Sequence, residues 1–305
     1  MKKKVLITGG AGFIGSNLKE SLKKLDHEVL TIGRDEKEDI KIDLNDTKLQ
    51  NIVQDLLPDI VCHFASGSNI ARAEEDREKE FKETVSVTNN LINSLSSLRH
   101  GKSKFIYLSS QAVYGVPQYL PVNESHLLKP NTIYGENKLK AENIIVQNKT
   151  NYIIFRVSSV YGMGQNYNKS GVISKFINKL ENNLAPVVFN SSDLICDFIY
   201  VTDLVNAVIK GIQDDSVQNE IFNLSSGKPT TLKELLDILY KYFSRAPLPE
   251  LKANPLYLSV EQKGIYLDNT KIQTQLKWSC KYSVGDGLKK MLQSKGLQPH
   301  HEFAN

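Results

Sequence analysis

Eleven residues near the start of the chain, Val5-Leu6-Ile7-Thr8-Gly9-Gly10-Ala11-Gly12-Phe13-Ile14-Gly15, constrain its fold more than any others. A short apolar run passes straight into Gly10, Gly12 and Gly15, the G-x-G-x-x-G spacing, which also reads as G-x-x-G-x-x-G from Gly9. Each glycine answers a steric demand where a strand turns into a helix over a phosphate. One allows a tight turn, one lets the backbone approach the anion, and one allows close helix–strand packing, while the helix N-terminus supplies oriented N–H groups. The loop alone is a weak signal, because glycines also serve purely structural turns. Its position at the head of a β-α-β unit makes it a dinucleotide site, with Gly9, Gly12, Phe13, Ile14 and Gly15 as predicted contacts.

From that loop to about residue 160, β-rich runs alternate with amphipathic stretches, as expected of successive β-α-β units on a parallel sheet. Strands are predicted at 5–8, 29–32, 60–64, 105–109 and 152–156. Ile14, Leu18, Leu22 and Leu25, and then Leu49, Ile52, Val53 and Leu56, recur at helical spacing and form core-facing stripes. A longer helix is predicted from about 74 to 98, where Phe81, Val85, Thr88, Ile92 and Leu95 step by four and three. That seam serves core packing, the favoured reading, or a dimer face. The fold class is therefore α/β, a doubly wound parallel (Rossmann) sheet with a smaller C-terminal lobe.

A chain of 305 residues exceeds one ordinary core, which sets the expected organisation. A dinucleotide-binding domain is expected over 1–165 and a mainly substrate-binding lobe over 166–295, with segments near 186–225 returning to the first domain. Residues 296–305 read as a flexible tail, in which His300 and His301 are terminal residues rather than metal ligands. Helices are expected after Gly171 and from Thr231, where Glu234 completes a Thr-x-x-Glu capping box.

Composition excludes several functions. The net charge of +4 arises from 38 basic and 34 acidic residues with no basic block beyond Lys2, Lys3 and Lys4, which argues against a nucleic-acid partner. Cys62, Cys196 and Cys280 lack paired metal or redox spacing, so no metal site is predicted and a reducing cytoplasm fits. The apolar run after the N-terminal lysines ends at Thr8, too early for a signal peptide. Nowhere are there ~18 uninterrupted apolar residues, the length that spans a bilayer.

At the end of the second predicted strand, a site preferring NAD would carry a carboxylate for the adenosine ribose hydroxyls. Here the strand runs into Gly33 and Arg34. A guanidinium there pairs with the 2′-phosphate of NADP, so NADP is the favoured cofactor. Asp35 follows directly and keeps NAD open, and a merely solvated Arg34 is the bland alternative.

Tyr134 and Lys138 are four residues apart and share one face of the helix after Pro130. Among the 13 tyrosines only this one has lysine at that spacing, although chance alone supplies about one such pair. Ser110 sharpens the signal, because the strand at 105–109 would deliver it to the crevice at the carboxyl ends of the sheet. Oxidising an alcohol requires removal of its proton, and a free tyrosine with a pKa of ~10 is a poor base at neutral pH. The Lys138 ammonium favours phenolate. Ser110, Tyr134 and Lys138 are thus the predicted catalytic set: Tyr134 moves the proton, Ser110 holds the same oxygen, and Lys138 also anchors the nicotinamide ribose.

These segments, with Ser109-Ser110-Gln111-Ala112-Val113-Tyr114-Gly115, resemble the extended short-chain dehydrogenase/reductases of the NAD-dependent epimerase/dehydratase family. Further matches are Asp43-Leu44-Asn45-Asp46, His63-Phe64-Ala65-Ser66, Arg156-Val157-Ser158-Ser159-Val160-Tyr161-Gly162, Asp197-Phe198-Ile199-Tyr200-Val201-Thr202-Asp203 and Phe222-Asn223-Leu224-Ser225-Ser226-Gly227. The resemblance covers roughly residues 4–292. It implies cofactor contacts at Asp43 and Leu44, where the aspartate holds adenine, and at Phe64, Ala65, Ser66, Tyr134 and Lys138. It also implies a homodimer and a nucleotide-sugar substrate.

Departures from the family pattern narrow the expectation. Gln111-Ala112 replaces the Asp-Glu pair of the 4,6-dehydratases, which disfavours dehydration. Gln111, Ser159 and Cys196 stand at substrate positions, but Ser159 and Cys196 replace an asparagine and an arginine that meet the diphosphate in sugar-nucleotide epimerases. The late Arg-Pro-x-Asp segment reads Asn254-Pro255-Leu256-Tyr257, leaving Lys169 or Lys175 as substitute cations. The expected function is NAD(P)-dependent oxidoreduction at carbon 4 of a nucleotide-activated hexose, 6-deoxy sugars included. Net 4-keto reduction is slightly preferred to 4-epimerisation. The alternatives are a reductase of a non-nucleotide carbonyl compound and a non-catalytic NADP-binding regulator.

Overall fold

The structure, a computed structural model, describes residues 2–67, 69–96, 103–148, 150–166, 171–253 and 264–299. Leu98, Lys169, Asn254-Pro255-Leu256-Tyr257, His300 and His301 lie outside the described residues. The first half runs β1 (Lys4–Thr8), α1 (Phe13–Lys24), β2 (Glu28–Gly33), β3 (Ile40–Lys41), α2 (Leu49–Leu56), β4 (Ile60–His63), α3 (Ile70–Glu75), α4 (Arg77–Phe81), α5 (Val87–Ser96), β5 (Lys104–Ser110), α6 (Ile133–Gln147) and β6 (Tyr152–Val157). The second half runs β7 (Ser159–Tyr161), α7 (Val172–Glu181), β8 (Val187–Phe189), β9 (Ile195–Tyr200), α8 (Val201–Gln213), β10 (Glu220–Leu224), β11 (Pro229–Thr231), α9 (Leu232–Tyr240), β12 (Glu250–Lys252), α10 (Thr270–Gln275) and α11 (Val284–Gln293).

Seven strands form one parallel sheet in the order β10-β6-β5-β4-β1-β2-β3, and the run from β6 to β3 follows the doubly wound 3-2-1-4-5-6 pattern, with β10 added beyond β6. Strand alternation divides the core between the two sheet faces. Val5, Ile7, Ile60, Cys62 and Ile106 pack with Leu18 and Leu22 of α1 and the apolar face of α8. Leu6, Val61, Phe105 and Tyr107 pack on the opposite side with α2, α5 and α6. Both α8 and β10 therefore come back to the large sheet from the second half of the sequence, while β9 pairs with β7 and β11, and β8 pairs with β12. A second core, built from α7, α9, α11 and the three-stranded sheet, includes Phe176, Phe198, Tyr200, Leu235 and Leu288. Thr231 and Glu234 form the expected reciprocal capping box at the start of α9.

The predicted continuous helix over 74–98 is a correction. Asp76 ends α3 and caps α4, its side chain accepting from the Lys79 amide at 3.0 Å. A π-helical turn over Lys82–Ser86 then adds one residue before α5. A short side chain competing for backbone donors breaks the helix where apolar periodicity predicts continuity. Val85, Thr88, Ile92 and Leu95 are buried within the chain, so this seam is core packing, whereas Phe81 is exposed. Among the described residues no helix is long and apolar enough to cross a membrane, and no cluster of His, Cys, Asp and Glu could hold a metal.

Candidate active site

The glycine loop joins β1 to α1 at the carboxyl ends of the parallel strands. Gly9 has φ +70°, and a Cβ there would lie 2.9 Å from the Ala65 amide nitrogen, so the loop and the segment after β4 meet only because glycine stands there. Gly12 caps α1 without any side-chain cap, leaving the first-turn amides of Phe13, Ile14 and Gly15 to meet an anion. The residues present therefore fit a dinucleotide pyrophosphate.

A buried hydrogen-bond relay fixes the facing segment. The Thr8 hydroxyl accepts from the amides of Phe64 at 3.2 Å and Ala65 at 3.1 Å. Its own proton goes to His63 Nδ1 at 2.7 Å, so Nε2 carries the ring proton and donates to the Thr88 hydroxyl at 2.9 Å. Thr88 in turn donates to the Thr84 carbonyl at 2.6 Å. Burial, helped by the Lys138 charge, pushes His63 down to about 3 from its ordinary 6.5. Between those values the unfolded chain binds a proton that the folded chain refuses, so stability falls as pH drops. From pH 6.5 to 5 the loss from this group is about 2 kcal/mol. Thermal melts at pH 7 and pH 5 should show a smaller acid loss in His63→Gln than in the parent; equal losses would remove His63 as the cause.

Helix α6 carries Tyr134, Lys138 and Glu142 one turn apart on a single face. It starts where the Thr132 hydroxyl accepts from the Gly135 amide at 3.1 Å and Glu74 accepts from the Ile133 amide at 2.8 Å. A Cβ at Gly135 would lie 2.5 Å from the Ala112 carbonyl, so this glycine lets α6 settle on the turn after β5. That approach brings Tyr134 to the hydroxyl of Ser110, the last residue of β5. Lys138 Nζ lies 5.7 Å from the Tyr134 ring centre and donates to the Leu108 carbonyl and the Ser66 hydroxyl, each at 2.8 Å.

Burial pushes the Tyr134 phenol up to about 12, with the Ser110 hydroxyl pulling the other way. Burial also lowers Lys138 to about 8, against the opposing pull of Glu80 and Glu142. The ammonium is thus mostly charged at neutral pH, yet burial prevails at the tyrosine, whose phenol is raised where its lysine neighbour led to the expectation of a lowered one. The structure brings Ser110, Tyr134 and Lys138 together.

The other predicted residues have varied settings. Arg34 points to Glu83, with Nη2 to Oε1 at 2.8 Å, and is largely exposed. Asp43 is exposed and accepts from the Asn45 amide at 2.8 Å, while Leu44 is buried beneath it. Gln111 follows Ser110 and has a buried Oε1 without a partner among the described residues. Ser159 on β7 is partly buried, and Cys196 on β9 packs against the second core, where burial raises its thiol to about 12. Neither supplies a charge for a diphosphate. Lys175 is exposed on α7.

Glu80 and Glu38, like Glu142, have no counterpart in the sequence reading. Glu80, 5% exposed, accepts from the Thr84 hydroxyl at 2.8 Å and faces Lys138, but lies in a charge-rich run that reads as a solvated face. Glu38, 8% exposed, reaches back to the glycine loop, where its Oε1 accepts from the Ala11 amide at 2.9 Å. The empty side-chain position at Gly33 was the available signal.

The family model described as "NAD dependent epimerase/dehydratase family" matches residues 5–225, spanning the glycine loop, the Ser110 strand, the Tyr134 helix and β10. The chain belongs to that family. A Methanocaldococcus jannaschii protein provisionally named a UDP-glucose 4-epimerase is 31% identical, over 94% of this chain and 97% of its own. An Escherichia coli dTDP-4-dehydro-6-deoxyglucose reductase is 27% identical, over 96% and 98%. The Thermotoga maritima UDP-glucose 4-epimerase, solved with UDP-glucose, shares the fold with a TM-score of 0.86 and 24% identity, covering 96% of this chain and 98% of that one. This member of the family is accordingly an enzyme with the Rossmann architecture.

In this epimerase/dehydratase chain several motif residues hold loops in place. Asp197 accepts from the Ser226 and Leu267 amides, and Asp203 from those of Lys281 and Tyr282. Asn223 accepts from the Tyr114 hydroxyl at 2.6 Å and donates to the carbonyls of Val122 and Asp268.

Proposed function

We propose that this enzyme exchanges the configuration at carbon 4 of a nucleotide-activated hexose. The observation that carries this reading is Tyr134 and Lys138 on one face of α6, opposite Ser110 at the carboxyl end of β5. A bound nicotinamide dinucleotide supplies the two-electron exchange at the sugar carbon. In its phenolate form Tyr134 Oη would take the proton of the 4-hydroxyl, becoming the phenol, and would return that proton when the carbonyl is reduced, while Ser110 Oγ hydrogen-bonds the same oxygen. Lys138, held by Leu108 and Ser66, keeps a positive charge beside the phenol and points its remaining donor capacity at the cofactor ribose. Gln111, whose buried Oε1 has no partner among the described residues, is proposed to meet a sugar hydroxyl. The lobe bearing β7 and β9 is the proposed seat of the sugar and its nucleotide.

Epimerisation is preferred because Arg34, the residue that favoured NADP-dependent reduction in the sequence, is engaged with Glu83. Net 4-keto reduction is the second reading, favoured by the similarity to the Escherichia coli reductase. A thermal-shift screen of UDP-, GDP-, CDP- and dTDP-hexoses, followed by turnover without added cofactor, separates them. Binding at a hundredfold excess over Kd stabilises the fold by about 2.7 kcal/mol. An epimerase turns the sugar over with no net cofactor consumption, whereas a reductase consumes reduced dinucleotide stoichiometrically. Indifference to every nucleotide sugar would overturn both readings in favour of another carbonyl substrate.

A further inference from the structure

We infer that Glu38 is the adenosine-ribose acceptor of this site and selects NAD over NADP. The inference rests on a dinucleotide being the cofactor. The end of the second strand of this fold ordinarily carries the acidic side chain that receives the ribose hydroxyls. Here that strand ends at Gly33, which has no side chain to offer. Glu38 fills the space: a Cβ built on Gly33 would lie 3.2 Å from Glu38 Oε1. The carboxylate therefore reaches the glycine loop from five residues further along the chain.

The segment that delivers it is anchored. Asp39 Oδ2 accepts from both the amide and the hydroxyl of Thr31, each at 2.9 Å, and the Asp39 amide donates back to the Thr31 hydroxyl at 3.0 Å. Lys19 Nζ pairs with the same carboxylate at 3.0 Å. The Glu38 amide donates to the Asp35 carbonyl at 3.1 Å, and the Ile42 amide to that of Gly33 at 2.8 Å. A short loop pinned on both sides of Glu38 holds its side chain against β2.

The hydrogen bonding of the carboxylate is incomplete. Oε1 accepts the Ala11 amide, but Oε2 is buried with no partner among the described residues, on the side of Gly10. An unpaired buried carboxylate oxygen is costly, and a ribose diol supplies the missing donors. A 2′-phosphate in the same place would set its negative charge against Glu38 and find the Ala11 amide already taken. Arg34, the cation that would compensate, is held by Glu83. Glu38 thus both satisfies the ribose and excludes its phosphorylated form.

The test is calorimetric binding of NAD and NADP to the full chain, stripped of bound dinucleotide, with no sugar present. The parent should bind NAD at least about tenfold more tightly than NADP, the range expected of one charge-assisted hydrogen bond. Glu38→Gln keeps the shape and an acceptor for Ala11. It should weaken NAD about tenfold and bring the two affinities within about threefold. Glu38→Ala should also relax the preference, by freeing the Ala11 amide for phosphate. Equal binding of the two by the parent, or a preference unchanged in both variants, would overturn the assignment while leaving the dinucleotide site intact. Binding of neither dinucleotide would overturn it together with the cofactor reading.

Discussion

Tyr134→Phe is expected to leave the fold and its melting temperature as they are and to lower turnover about a thousandfold. The magnitude is that of a positioned acid–base group, typically 10²- to 10⁴-fold. The substitution removes one oxygen from a helix whose other anchors, Thr132, Glu74 and Gly135 against Ala112, are untouched. Its ring keeps its packing, so dinucleotide affinity and sugar affinity should change little and the loss should appear in kcat. Lys138→Met should differ in kind. It removes the donor to Leu108 and Ser66 as well as the charge beside the phenol, so cofactor affinity and kcat should fall together. The measurement is steady-state kinetics beside dinucleotide titration for each variant. If Tyr134→Phe kept more than a tenth of parental turnover, another group would have to move the proton.

Legibility in the sequence followed the range of each interaction. The glycine loop and the Tyr134/Lys138 spacing are local, so their geometry could be derived from neighbours in sequence, and the structure places them accordingly. Apolar periodicity is blind to the break at Asp76, where one side chain caps a helix while ending another. The position of Arg34 after β2 points to the cofactor, but its partner Glu83 is 49 residues away and nothing local announces the pair. Glu38 and Glu80 were hidden for a different reason. Charge-rich segments are usually solvated, and only the packed loop shows that these two carboxylates turn inward. Motif residues such as Asp197, Asp203 and Asn223 marked the family by resemblance, yet their contacts hold loops rather than reach into the Tyr134 site.

The second large effect belongs to Arg156, on β6 beside the edge strand β10 and far in sequence from the glycine loop. Its Nη2 meets Glu142 Oε2 at 2.8 Å and its Nε bridges both carboxylate oxygens at 3.2 Å, with the two side chains 3% and 2% exposed. Glu142 also accepts from Ser109 at 2.5 Å, and Arg156 Nη1 donates to the Tyr114 hydroxyl at 3.2 Å. The pair therefore ties α6 to β5 and β6 one turn beyond Lys138. Removing one partner leaves the other charge buried and unpaired, so Arg156→Met should cost about 3–5 kcal/mol. Arg156→Lys should recover only part of this, because an ammonium cannot reproduce the planar fork. Adding Glu142→Leu to Arg156→Met should restore much of the stability, since the costly unpaired carboxylate is gone. Urea unfolding with a constant m-value reads these differences directly, and a loss below about 1 kcal/mol in Arg156→Met would refute the clamp. The double variant decides what the clamp does for the site. If the ion pair sets the pitch of α6, the restored fold should still show depressed kcat, because Tyr134 and Lys138 ride on the helix that the pair no longer holds in register with Ser110.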